Sequence, residues 1–232
     1  MSQKFSVIVS DPPWSFSDKL SMSDVKRGAE ANYNTMTIEE IKALPIKDIA
    51  DPSGAILCLW VPSTLLQSGL DVMNAYGFSF RQVYVWVKIK KDPYKKLIKK
   101  SLVDAVEKIK TLSLKEMRKY CSSIFSGDVA KDILGFGLGR IFRQSHEICL
   151  IGINNTGIYK KLQNKSQRSV CLAENLKHST KPEDLQDSLD LMFGEEVAKL
   201  ELFARRLRPG WDCVGNEIGE KLDIRDSLKK LI

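Results

Sequence analysis

The sequence predicts an α/β fold, a doubly wound and mostly parallel sheet with helices on both faces. Three observations predict it: apolar runs of strand length, helical periodicities between them, and short connections punctuated by Pro, Gly and capping residues. The chain has 232 residues, 43% hydrophobic and 28% charged, enough for one domain with a substantial core. That composition excludes a disordered chain, a collagen or a small disulfide scaffold. No run approaches the roughly 18 apolar residues of a membrane helix, and Met1-Ser-Gln-Lys-Phe5 opens no signal region. The expectation is a soluble, cytoplasmic protein without a membrane partner.

The first element is Phe5-Ser-Val-Ile-Val-Ser10, closed by Asp11-Pro12-Pro13. Proline removes a ladder donor and biases its predecessor away from helix, so a strand ends there with Asp11 at its carboxyl end. Thr37 and Glu40 form a capping box that opens a short helix, which Pro45 ends. Gly54 to Val61 is a continuous apolar run, the pattern of a strand covered on both faces. Ser63 is placed to cap a helix carrying Leu66, Leu70 and Met73 on one face, with Gly77 past its end. Val83 to Lys88 is a second buried strand, completing a strand, helix, strand unit. From Lys95 to about Phe125, Ile98, Leu102, Val106, Ile109 and Leu112 recur at helical spacing, with a break near Leu112-Ser113. Strand patterns return at Glu147–Ile153, Ala198–Ala204 and Trp211–Val214. Before the second of these, Thr180-Lys-Pro-Glu183 reads as another capping box, leading into Leu185, Leu189 and Met192. The whole chain, 1–232, reads as one domain with an inserted helical segment at 91–133.

Five cysteines stand singly at 58, 121, 149, 171 and 213, and the histidines are His146 and His178. No spacing suits a metal, and no structural metal is expected. Charge is concentrated. Between Lys88 and Tyr120 there are twelve Lys or Arg against four acids, while the rest of the chain has 24 against 25. Lys88 to Lys100 alone holds seven lysines with Tyr94 among them. A lysine-rich helix face is commonly just solvated, but a segment carrying all of the positive excess also suits a polyanionic partner. Gly135-Phe-Gly-Leu-Gly139 lacks the strand-then-helix context of a dinucleotide loop and reads as a connection, possible in a substrate loop.

Ligands of such sheets sit beyond the strands' carboxyl ends, which directs attention to Asp11-Pro-Pro-Trp14. A proline pair after Asp is also simply a rigid turn. At that position, however, an acceptor carboxylate, a stiff main chain and a flat aromatic suit methylation of an exocyclic amino group on a nucleobase. Its nitrogen is a poor nucleophile because the lone pair is delocalised into the ring. If Asp11 and the Pro12 carbonyl accept its hydrogens, the nitrogen is turned toward tetrahedral geometry and can attack a sulfonium methyl. Trp14 would stack on a base taken out of its duplex or offered by a single strand.

Asp11-Pro-Pro-Trp14, Tyr33-Asn-Thr-Met36, Leu59-Trp-Val61, Val85-Trp-Val-Lys88, His146-Glu-Ile-Cys-Leu150, Lys181-Pro182, Glu201-Leu-Phe-Ala-Arg205 and Gly215-Asn-Glu217 occur in an order that resembles one family. It is that of the adenine-N6 methyltransferases related to the seventy-kilodalton (MT-A type) subunit of the messenger-RNA adenosine methyltransferase. The resemblance, which covers nearly the whole chain except the basic helical insertion, implies a Rossmann-like class I methyltransferase fold of permuted motif order, with S-adenosylmethionine as donor. By it, catalysis falls to Asp11, Pro12, Pro13 and Trp14. The cofactor falls to Asp11, Lys181 (its carboxylate), and Arg205, Asn216 and Glu217 (ribose and adenine). Tyr33 maps to an aromatic that closes over the base. His146-Glu147 imitates a catalytic dyad but starts a strand in the family. Arg208 receives no role, because the segment between Arg205 and Trp211 is shorter here than in the family.

The expected partner is nucleic acid, DNA favoured over RNA, gripped on its phosphates by Lys95, Lys96, Lys99 and Lys100, and the expected assembly is a possible homodimer. Two rival readings are a non-catalytic nucleic-acid-binding subunit and a cytosine amino methyltransferase. An intact Asp11 and Trp14 weigh against the first, and the ordered motifs weigh against the second.

Overall fold

The computed structural model describes residues 3–15, 35–92, 141–174, 180–216 and 223–232, with shorter stretches at 113–116, 133–137 and single positions 119, 139 and 218. The chain forms two compact units. The first comprises Met1–Val85, Glu147–Ser169 and Glu183–Ile232, and the second Trp86–His146 and Val170–Pro182. Most of the expected insertion at 91–133 lies outside the described residues.

The elements are β1 (Val7–Ser10), α1 (Ile38–Lys42), α2 (Ile46–Ile49), β2 (Ile56–Val61), α3 (Leu66–Ala75), β3 (Ser79–Ile89), β4 (His146–Ile153), β5 (Val170–Glu174), α4 (Asp184–Phe193), β6 (Lys199–Leu202), β7 (Asp212–Val214) and α5 (Ile224–Lys229). They form an α/β fold around a seven-stranded sheet ordered β5-β3-β4-β2-β1-β6-β7. β1 pairs in parallel with β2 (Val7 opposite Ile56) and with β6 (Val7 opposite Lys199), and β6 pairs in parallel with β7. Flanked on both edges, all four residues of β1 are buried, as are all six of β2. This is the fully covered parallel strand that the unbroken apolar runs predict.

One connection differs from expectation. β4 lies between β2 and β3 and runs antiparallel to β2, Trp60 facing Cys149. The β2, α3, β3 unit therefore does not place its two strands side by side. Pairing order follows from long-range packing that the local pattern of either strand does not record.

The capping box of α1 is formed: Glu40 N–H donates to Thr37 Oγ1, while Glu40 Oε2 accepts from Thr37 N–H at 2.8 Å. Ser63 instead begins a 3-10 turn, with no side-chain cap on it or on α3. α3 buries Gly69, Val72 and Met73 and leaves Leu66 exposed, a face rotated from the one expected. Its end is a Schellman motif: Gly77 at φ +79° donates to Asn74 O, and Phe78 donates to Met73 O. The expected box at Thr180 is absent, because the Glu183 carboxylate is used on Arg206 (2.9 Å) and Arg208 (2.7 Å).

At the amino ends of β1 and β2 a polar clamp fixes the sheet. Lys161 Nζ donates to Asp51 Oδ2 (2.6 Å), Ser6 Oγ (2.9 Å), Ser53 Oγ and the Gly54 carbonyl. Partial burial pushes the Asp51 carboxyl up, but hydrogen bonds from Lys161 and Ser53 outweigh it and bring its pKa down to about 2. Asn154 extends the clamp by donating to Asp51 O and accepting from Ala55 N–H.

Candidate active site

The clamp holds one edge of the sheet; the candidate site lies at the other, where β1, β6 and β7 end. Asp11 follows β1 directly and is half-buried. The turn behind it is tied by main-chain bonds. Trp14 N–H donates to Pro12 O (2.9 Å), Met36 N–H donates to Pro13 O (2.8 Å), and Ser15 N–H donates to Met36 O. The first of these spans two residues, a γ-type turn that aims the Pro12 carbonyl. A carbonyl oxygen has two lone pairs, so Pro12 O keeps an acceptor site after serving Trp14.

Trp14 itself is only 4% exposed, and its indole N–H donates to Trp60 O at 2.9 Å inside the core of the first unit. In this position the ring ties the Asp11-Pro-Pro turn to β2. A tryptophan with its polar atom satisfied at the core's edge binds a loop more firmly than an exposed ring would.

On β6, Glu201 lies opposite Val9, two residues short of Asp11 on the neighbouring parallel strand. Gln186 of α4, itself buried, donates to Glu201 Oε1 at 3.0 Å. Burial raises the Glu201 pKa above the usual carboxylate range; Gln186, Arg206 and Arg208 oppose the rise, and the nearby Asp11 charge adds to it. Two buried oxygens here, Ser10 Oγ and Gln186 Oε1, have no hydrogen-bond partner among the described residues. The sequence assigns no role to Glu201, Gln186 or Ser10; Glu201 is the penultimate residue of β6, and its place in that strand alone does not single it out.

After β6, Phe203 adopts φ +60°, a left-handed conformation unusual for a bulky residue. Ala204 N–H then donates to Val214 O. Gly215 lies so close to Ala204 that an added Cβ would stand 2.0 Å from the Ala204 carbonyl oxygen. This backbone approach brings the residues that follow, half-buried Arg205 and exposed Asn216, to one place beyond β6 and β7. Asp11, Glu201, Arg205 and Asn216 are thus gathered at the carboxyl ends of three adjacent parallel strands.

Other residues fall elsewhere. Arg208 is held by Glu183, Asp187 and Asp190 of α4, and Asp190 also accepts from Lys199 (2.9 Å) and Trp211 (2.9 Å). That network is structural: it ties α4 to the loop before β7. Lys181, half-buried ahead of buried Pro182, belongs to the second unit. His146 is exposed as the first residue of β4, in keeping with a strand start. Tyr33, Glu217, Lys95, Lys96, Lys99 and Lys100 lie outside the described residues. Among the described residues no group of three or more His, Cys, Asp or Glu is placed to hold a metal ion, and no helix is long and apolar enough to cross a membrane.

The chain matches the MT-A70 family model over residues 5–134 and 128–217. It is 22% identical over 219 residues to the N(6)-adenosine-methyltransferase MT-A70-like protein of Drosophila melanogaster, covering 93% of this chain and 27% of that protein. The N(6)-adenosine-methyltransferase catalytic subunit METTL3 of Homo sapiens is likewise 22% identical, over 93% of this chain and 28% of its own length. The chain thus spans little more than a quarter of these two relatives. Against the Type II methyltransferase M.MunI of Mycoplasma sp. the identity is 24%, over 96% of this chain and 82% of that protein. The chain belongs to the MT-A70 family of methyltransferases, whose Rossmann-like fold agrees with the α/β sheet described above.

Proposed function

We propose that this chain transfers the methyl group of S-adenosylmethionine to the exocyclic N6 of adenine in nucleic acid, with DNA favoured over RNA. The observation that carries the reading is the Asp11 turn: a carboxylate and the Pro12 carbonyl follow the end of a buried strand, in a turn held by three main-chain hydrogen bonds.

The donor set fits the cofactor. S-adenosylmethionine carries an ammonium, a sulfonium, a carboxylate and a ribose diol. Asp11 and Glu201 suit the two cationic groups, a ligand charge that would relieve their mutual repulsion. Arg205 and Asn216 suit the ribose and adenine, and the family resemblance, rather than their placement, is what supports Glu217 beside them and Lys181 toward the carboxylate. The unpartnered Ser10 and Gln186 oxygens further fit a polar ligand. When bound, S-adenosylmethionine supplies an electrophilic methyl group.

The chain's residues do the rest. Asp11 and Pro12 O accept the two amino hydrogens of adenine, localising the nitrogen lone pair and pointing it at the methyl. After transfer the nitrogen sheds one proton, the hydrogen that Asp11 holds. Trp14, through Trp60, keeps the turn from swinging away, and the family resemblance supports Tyr33 as the aromatic partner of the base.

Incubation with labelled S-adenosylmethionine and single-stranded DNA, duplex DNA or RNA, followed by nucleoside analysis, tests the reading. Labelled N6-methyl-adenine nucleoside is expected, most abundantly from DNA. Label on cytosine would move the acceptor, and binding without any product would leave a non-catalytic nucleic-acid subunit.

A further inference from the structure

The second unit holds 17 Lys and Arg against 7 Asp and Glu, whereas the first holds 19 against 22. Within that basic unit, residues 133–135 pair antiparallel with the end of β3. Gly135 N–H donates to Lys88 O, Lys90 N–H donates to Ile133 O, and Ile89 bridges Leu134. Gly137 and Gln144 then form an isolated antiparallel bridge, Gly137 N–H donating to Gln144 O at 2.8 Å. Within the tip that this bridge closes, Ile141 is 89% exposed and Phe142 84% exposed. Phe136 is also exposed; Arg143, next to Phe142 in sequence, is exposed, as are Lys90 and Lys91 just past the end of β3, where Lys90 N–H meets Ile133 O.

Two features set this tip apart from scattered surface hydrophobics. It presents two adjacent large apolar side chains. Its turn is also closely packed: a Cβ on Gly139 would lie 2.0 Å from the Phe142 carbonyl oxygen. We propose that the exposed Ile141-Phe142-Arg143 tip beside the Gly137–Gln144 bridge is a nucleic-acid contact, Phe142 stacking on a base of an unpaired strand and Ile141 wedging beside it, with Arg143 and Lys91 on the flanking phosphates. This rests on the nucleic-acid substrate of the proposed function and adds the site that engages it. The charge balance selects the occupant. A second copy would bring two strongly basic units together, whereas a phosphate backbone neutralises them. Aromatic faces stack on every base, so the contact favours unpaired strands without fixing a sequence.

The test is binding of the full chain to a fluorescent single-stranded oligonucleotide and to the same sequence as duplex, across a salt series. Ile141→Ser with Phe142→Ser should weaken single-strand binding about tenfold or more and leave the salt slope unchanged. Arg143→Gln should lower that slope by roughly 0.7. Because the tip is exposed, circular dichroism and elution volume of the variants should match the wild type. Single-strand affinity within twofold of wild type would overturn the proposal, as would a wild-type dimer that the double variant dissociates with affinity unchanged. Asp11→Ala separates the two readings: it should make no product, yet in that background the Ile141 and Phe142 substitutions should still weaken single-strand binding by the same factor. Loss of the tip's binding effects alone would leave the methyl-transfer reading standing.

Discussion

Replacing Lys161 with Met removes the positive charge of the amino-end clamp while keeping most of the aliphatic stem. The Asp51 carboxylate then loses its 2.6 Å ion pair, and Ser6, Ser53 and Gly54 each lose a donor. A carboxyl lowered from 3.8 to about 2 represents about 2 kcal/mol of folding stability, at about 1.4 kcal/mol per tenfold. Ser53 supplies part of that and remains. Both partners' side chains are 23% exposed, so the pair stands between a screened surface pair and a fully buried one. The expected loss is about 1.5 kcal/mol at neutral pH. Because the folded pKa is depressed, the stabilisation is fully present above about pH 4 and disappears as pH falls through about 2. Urea denaturation of wild type and variant at pH 7 and pH 2, at matched ionic strength, measures it. A difference below about 0.5 kcal/mol at pH 7, or one equally large at pH 2, would refute the reasoning.

Gly215→Ala forces a Cβ into the Ala204 carbonyl, so the loops after β6 and β7 must part; calorimetric titration should show S-adenosylmethionine binding weakened by about tenfold or more, with stability lowered by about 1–3 kcal/mol. Unchanged cofactor affinity would detach Arg205 and Asn216 from the site. Trp14→Phe removes the donor to Trp60 O from a buried position, and should cost about 1–3 kcal/mol in the denaturation midpoint. If the ring were a stacking surface instead, the oligonucleotide Kd would change while stability did not.

The features legible in the sequence are those set by local physics. The proline pair ending β1, the Thr37 box and the covered runs of β1 and β2 each depend on a few neighbouring residues. So does the placement of Asp11 at a strand's carboxyl end. What escaped depends on partners far along the chain. Trp14 gives no sign of its bond to Trp60 O. Glu183 reads as a cap until Arg206 and Arg208 claim it. β4 reads as one more parallel strand until it enters between β2 and β3 against β2. Glu201 gave no signal of its own, because its significance lies in the Gln186 amide and the Asp11 carboxylate that the fold sets near it.

Asp11→Ala is the most direct test of the account, read in one preparation by three measurements: circular dichroism, oligonucleotide affinity and labelled methyl transfer to adenine. The account predicts native spectra, unchanged affinity and no product. Methyl transfer at the wild-type rate would contradict it.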